Sequence, residues 1–267
     1  MPALPLMVRN EQAPLMFEPV VDLATGCPIV MQVLTPREST QAYGLASTAA
    51  PRERQARMME VDAGVLESAC WELKRWTEAG LEMRVCVPVH ALTLSDAGLP
   101  AQVDRLARVT GIALSQLEFG YAADEHSEAA VGYWYPAMPI AATLVEMGCT
   151  LCLSGFGGGY NSLATLKRLP CSRVEVHDSF NVGEGENGGD IAILQATQGL
   201  LRSFGLHMTV AGVGTQHPIR LLEEIGVDSV RGPAFGGSMT PATAQSWLVG
   251  ARERIDARRA KRTKLKK

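Results

Sequence analysis

A chain of 267 residues, 46% hydrophobic and 20% charged, has the composition of a globular protein with a sizeable core, which excludes a disordered chain, a coiled coil and a collagen-like repeat. Its length fits either two average domains or one α/β barrel. The formal charge of −3 hides a division: residues 251–267 hold nine Lys or Arg against two acids, and the rest of the chain holds 16 bases against 26 acids. A tail of about +7 thus follows a body of about −10.

No run of about 18 uninterrupted apolar residues is present. The opening MPALPLMVRNEQAP has two early prolines and lacks a charged n-region before an apolar core, so a cytoplasmic protein with no membrane span is expected. Residues 17–34, FEPVVDLATGCPIVMQVL, read as a β-hairpin of two Val-containing runs around Ala-Thr-Gly. Residues 35–55, with Pro36 and Pro51, read as a loop. From Met58 to Gly80 the positions Met59, Leu66, Ala69, Cys70, Leu73 and Trp76 recur at helical spacing, with Asp62 as an exception.

Alternation then follows. Strands are predicted at 83–89, 115–121, 150–154, 173–177, 207–213 and 228–231. Helices are predicted at 96–109, 137–147, 161–168, 190–204, 217–225 and 241–254. Strand–helix alternation implies parallel βαβ units. Two hairpin strands and six later ones make eight, enough to close a TIM-like (β/α)8 barrel with an antiparallel first strand.

The six cysteines suggest free buried thiols rather than a disulfide framework. Cys149 and Cys152 form a CxxC on a predicted strand, where an offset of three sends the side chains to opposite faces. Neither a GxGxxG fingerprint nor a GKS or GKT ending accompanies the run Gly155-Phe156-Gly157-Gly158-Gly159, so its glycines are read as a tight turn with positive φ. GEGENGG at 183–189 reads as an exposed loop.

Several blocks then resemble one family. SGFGGGYNSLATLKRLPCSRVEVHDSF at 154–180 is similar to DDFGTGYSSLxxLKxLPxDxLKIDxSF of the EAL domain, GLHMTVAGVGT at 205–215 to GLxVVAEGVET, and VRGPAFGGSMTPA at 230–242 to VQGYxFxxPxPA. FEPVVDLATGCPIVMQVLTP at 17–36 is similar to YQPIVDLxTGxIxGxEALLR. The resemblance covers roughly residues 15–250 and implies an EAL-type barrel, preceded by an extension at 1–14 and followed by a basic tail from 251. Active members hydrolyse the bacterial second messenger cyclic di-GMP with two divalent metals.

The resemblance also assigns the active-site positions. The metal-binding glutamate of the EAL triplet falls on Gln32, and the arginine ending that strand falls on Pro36, with Arg37 one residue late. The asparagine of NLS falls on Pro88, the glutamate of EIT on Gly120, and the paired aspartates on Ser154 and Gly155. The lysine and aspartate of KID fall on Glu175 and His177, the two glutamates of AEGVE on Ala211 and Gly214, and the last-strand glutamine on Arg231. Two divalent ions need several carboxylates, so neither a metal nor another cofactor is expected here and phosphodiesterase activity is expected to be absent. A register slip at Gly120 would substitute Glu118, which faces the same way.

The expected function is therefore a catalytically inactive regulator working by protein–protein contact, which in the family serves motility, biofilm or virulence gene expression. Its partner is an unidentified regulatory protein, and a homodimer through the 155–168 segment is a second expectation. A non-hydrolysing cyclic di-GMP receptor is the alternative, weakened by the lost contacts although Arg231 could reach a phosphate. In the tail, Arg258, Arg259, Lys261, Arg262 and Lys264 could contact a polyanion or partner, including nonspecific nucleic acid. His177-Asp178 is not expected to form an acid–base dyad, since strand neighbours face apart. His90, His126, His207 and His217 read as surface or structural residues.

Overall fold

The computed structural model describes residues 15–34, 51–121, 130–158, 163–180, 188–215 and 219–264. The hairpin appears as β1 (Met16–Asp22) and β2 (Pro28–Leu34). Its turn is held locally: Asp22 Oδ1 accepts from the Thr25 amide at 2.8 Å and the Thr25 hydroxyl at 2.5 Å. This is the short-range bonding by which an aspartate favours a turn.

Next comes α1 (Pro51–Glu78), which opens ahead of the expected Met58 because proline is compatible with a first helical turn. The apolar spacing read from the sequence is its inner face: Leu66, Ala69, Cys70, Leu73 and Trp76 are at most 1% exposed. The Trp76 ring meets Phe17 of β1 edge-on, with centroids 4.9 Å apart, a favourable aromatic geometry.

The chain continues through β3 (Val85–Val89), α2 (Ala91–Leu94), α3 (Leu99–Thr110), β4 (Leu117–Tyr121), α4 (Ala130–Glu146), β5 (Thr150–Phe156), α5 (Leu163–Arg168) and β6 (Arg173–Val176). Then follow α6 (Gly188–Ser203), β7 (His207–Val210), α7 (Ile219–Ile225), β8 (Ser229–Arg231) and α8 (Pro241–Lys264). The helix expected at 96–109 is α3, and the short α2 precedes it as a separate element because Ser95 and Asp96 turn the chain. The Ser95 hydroxyl donates to Ala91 O at 2.7 Å, and Asp96 Oδ1 accepts from the Gly98 amide at 3.0 Å. The helix α4 begins well before 137 and accommodates Pro136 and Pro139, residues whose missing N–H normally marks a boundary. The helix α8 runs past 254, so residue 251 lies inside it, with Ala251 buried.

The strands close in the order β1 to β8, each neighbour parallel except β1, which is antiparallel to both β2 and β8. The main core lies between sheet and helices, and a small apolar cluster of Val20, Val30, Cys86 and Cys152 lies apart from it. Cys149 belongs to the main core and Cys152 to the small cluster, the opposed faces predicted for an offset of three. All six cysteines are free. In the glycine-rich turn, Gly157 has φ 90°, and a Cβ there would stand 2.8 Å from the Phe180 ring, so the turn requires glycine twice over. No helix among the described residues is long and apolar enough to cross a membrane. The 1–14 extension, most of the 35–55 loop including Arg37, residues 183–187, His126 and His217 lie outside the described residues.

Candidate functional site

Parallel α/β barrels gather functional side chains at the C-terminal ends of their strands, and the resemblance-derived positions fall there. Gln32 pairs with Cys86 across β2 and β3, Pro88 with Gly120 across β3 and β4, and Gly120 with Cys152 across β4 and β5. Ser154 and Gly155 lie in the last three residues of β5, His177 follows β6, Ala211 and Gly214 follow β7, and Arg231 ends β8. The register sets Gly120 beside Pro88, and Glu118 beside Cys86, the residue that Gln32 also pairs with. Gly120 also has a steric reason to lack a side chain, since a Cβ would lie 3.1 Å from Cys86 Sγ.

What the sequence reading missed is a buried ladder of alternating charge. Arg173, 2% exposed, donates from Nε to both Glu118 carboxylate oxygens at 3.2 and 3.1 Å and from Nη2 to Oε2 at 2.5 Å. Its Nη1 donates to Thr209 Oγ1 at 3.2 Å and lies 3.8 Å from Glu175 Oε2. Arg231 then grips Glu175 through Nε at 2.7 Å and Nη2 at 2.8 Å, and reaches Glu18 of β1 through Nη1 at 2.5 Å. Five charged side chains, three glutamates and two arginines, therefore link β1, β4, β6 and β8. Burial opposes the charge of Arg231, but the Glu175 and Glu18 carboxylates outweigh it and hold the guanidinium firmly protonated. The available signal was RVEV at 173–176, where two charges at alternating positions share one face of a buried strand.

This ladder bears on the reading of Arg231. Arg231 was expected to be able to reach a phosphate, yet its Nε, Nη1 and Nη2 all donate to carboxylates of its own chain. The reason given for His177-Asp178 changes as well. β6 ends at Val176, so strand alternation no longer applies, and His177 Nδ1 lies 3.3 Å from Asp178 Oδ1 as well as 2.8 Å from Ser179 Oγ. A further buried acid, Asp62 of α1, accepts from the His90 amide at 2.8 Å and the Thr93 hydroxyl at 2.6 Å, with His90 Nδ1 at 2.9 Å. The exception in the α1 pattern is thus a fastening between α1 and the start of α2, and His90 is a structural histidine.

Divalent cations require several oxygen ligands. Gln32, Pro88, Gly120, Ser154, Gly155 and Ala211 carry no carboxylate, while Glu18, Glu118 and Glu175 are bonded to guanidiniums. Among the described residues no group of three or more His, Cys, Asp or Glu is placed to hold a metal ion. As arranged, these side chains do not fit a pair of divalent metals. Gln32 donates from Nε2 to Val33 O at 3.2 Å and leaves Oε1 buried without a partner among the described residues. Arg258, Arg259, Lys261, Arg262 and Lys264 fall on the last turns of α8, where side chains lie outside the described residues.

Residues 2–238 match the EAL domain family. Cyclic di-GMP phosphodiesterase NbdA of Pseudomonas aeruginosa is 30% identical over 251 residues, covering 90% of this chain and 31% of that protein. Bifunctional diguanylate cyclase/cyclic di-GMP phosphodiesterase MucR, of the same organism, is 27% identical over 237 residues, covering 87% of this chain and 34% of that protein. The chain thus spans about a third of the length of these relatives. Among solved structures, the MucR phosphodiesterase in complex with c-di-GMP superposes with a TM-score of 0.72 at 25% identity, covering 87% of this chain and 94% of that one. The EAL domain of Mycobacterium smegmatis DcpA gives 0.74 at 22% identity, covering 91% and 99%.

These relatives overturn the expectation that the chain lacks phosphodiesterase activity. Proteins similar to it over about nine-tenths of its length are named cyclic di-GMP phosphodiesterases, and an inventory of donors does not establish inactivity. The barrel, its reversed first strand and the match over residues 2–238 agree: the chain belongs to the EAL domain family.

Proposed function

We propose that the chain acts in cyclic di-GMP signalling as a regulatory module that works through contact with another protein. The observation that supports this reading is the charge ladder, which commits Glu18, Glu118 and Glu175 to Arg173 and Arg231 while the family's barrel is kept intact. A scaffold whose inner charges satisfy one another is suited to presenting a fixed outer surface. On that surface α5 carries Leu163, which is 61% exposed, and the same helix could serve a second copy of the chain.

The test is crosslinked affinity capture from the source cell with the intact chain and with Leu163→Glu. Recovery of one stoichiometric partner by the former and its loss with the latter supports the reading; capture indifferent to the substitution, or no capture, overturns it. Turnover of the dinucleotide is a second reading, favoured by the names of the relatives. Incubating the purified chain with cyclic di-GMP and Mg²⁺ or Mn²⁺ decides it, since linear product assigns turnover. Micromolar binding without product would instead favour a non-hydrolysing receptor.

A further inference from the structure

The last turns of α8 are built unlike the earlier ones. Ala244, Leu248 and Ala251 are buried and Ile255 is half-buried, an apolar stripe at helical spacing that seats the earlier turns on the barrel. One turn further on, the same stripe positions are Arg258 and Arg262, a residue type almost never fully buried without a partner. The helix therefore loses its apolar anchor at Ile255, yet it runs on to Lys264, about 14 Å further at about 1.5 Å per residue.

Residues 256–264, DARRAKRTK, hold five bases and one acid, with no aromatic residue and no Leu, Ile, Val or Met. The two bases just before them serve the chain itself: Arg252 donates from Nη1 to Gly80 O at 2.7 Å, and the Arg254 guanidinium lies 5.9 Å from the Trp247 ring centre. At about 100° per residue, the helix positions of Lys264, Lys261, Arg258, Arg262 and Arg259 succeed one another around an arc of about 220°. The remaining arc takes Asp256, Ala260 and Thr263. Basic positions thus wrap more than half of the helix, and the single acid falls in the gap.

We propose that this part of α8 lies in the major groove of double-stranded DNA and contacts phosphates on both of its walls. A flat anionic membrane touches one side of a helix and retains it through an apolar face, which these residues lack. A groove about 12 Å wide admits an α-helix and flanks it with phosphates on two sides, which matches an arc of bases wider than a plane can touch. The major groove of double-stranded RNA is too narrow for this contact, and single strands are held by stacking on aromatic side chains, of which this stretch has none. The first 250 residues, with 16 bases against 26 acids, repel a polyanion, so the contacts are confined to about five phosphates and carry little sequence preference. The surface is separate from the barrel mouth and from Leu163, so its occupancy does not depend on the function proposed above.

Fluorescence anisotropy of labelled DNA duplexes of two unrelated sequences, titrated with the purified intact chain, tests the assignment. Both duplexes are expected to bind alike, with a Kd of roughly 10⁻⁶–10⁻⁵ M at about 50 mM salt, and to lose about a hundredfold or more in affinity by about 200 mM. An RNA duplex, single-stranded DNA and phosphatidylglycerol vesicles are each expected to bind more weakly per phosphate. Arg258→Glu combined with Arg262→Glu is expected to weaken DNA binding by about tenfold or more. Ala257→Glu and Ala260→Glu change the net charge equally, but position 257 lies between Lys264 and Lys261 in the basic arc and position 260 lies in the gap. The first is therefore expected to weaken binding about fivefold and the second less than about twofold, with the circular dichroism spectrum unchanged in both. No saturable duplex binding, tighter binding to the vesicles, the RNA duplex or the single strand, binding indifferent to the double arginine substitution, or equal effects of the two alanine substitutions overturns the proposal.

Discussion

On the outer face of the sheet, Val85, Val87, Phe119 and Leu151 belong to one apolar core with Leu73, Trp76, Leu144 and Leu194 of the helices. Glu18, Glu118, Arg173, Glu175 and Arg231 are held instead in a chain of ion pairs, beside a small cluster of Val20, Val30, Cys86 and Cys152 that the register sets level with them. The outer layer is stabilised by area removed from water, which is non-directional and tolerates exchange of one apolar residue for another. The inner layer is stabilised only while every charge keeps its partner, because an unpaired ion in a barrel interior has no solvent to turn to. The same strands thus carry one face that is forgiving and one that is exacting.

The largest effect is expected from Arg173→Met, which strands Glu118, 1% exposed, without its cation. Urea denaturation should show a loss of about 3–5 kcal/mol. Adding Glu118→Leu should restore most of it, and a double variant no more stable than the single would break the contrast drawn above. On the outer face, Leu73→Ala should cost about 2–5 kcal/mol, whereas Leu73→Met should cost less than about 1.5 kcal/mol. Equal losses from the two substitutions would show that the outer layer is not the tolerant one.

Asp62→Ala should lower stability by about 1–3 kcal/mol by removing the acceptor of the His90 amide and the Thr93 hydroxyl. Hydrogen exchange at His90 should rise with it, and an unchanged rate would deny the fastening role. The smallest effect concerns alkaline pH. Burial pushes the Cys149 thiol up from 9.0 to about 11, so the folded state keeps its proton where the unfolded chain loses it. The stabilising contribution is complete below pH 9.0 and declines as pH rises toward about 11, at about 1.4 kcal/mol per pH unit. Cys149→Ala should flatten the stability profile by that slope in this window and leave neutral pH unaffected by it.

The hairpin, α1 and the strand–helix alternation were legible in the sequence because each rests on a local pattern: two apolar runs around a turn in 17–34, and helical spacing from Leu66 to Trp76. The placement of Gln32, Pro88, Gly120, Ser154 and Arg231 on one rim was legible through the resemblance. The ladder was not, since Arg173 and Glu118 lie 55 residues apart and Arg231 and Glu18 lie 213 apart, and no local pattern encodes such partners. Nor was the full length of α8, whose later turns have no apolar stripe to betray them and rest on the helix propensity of Ala, Arg and Lys.

Because β1 runs against both of its neighbours, the chain enters the barrel from the same rim at which the parallel strands finish. Met16, the first residue of β1, thereby stands at the rim of Arg231 instead of on the far side. A group tethered at this point would meet the opening at a local concentration set by the length and stiffness of its tether.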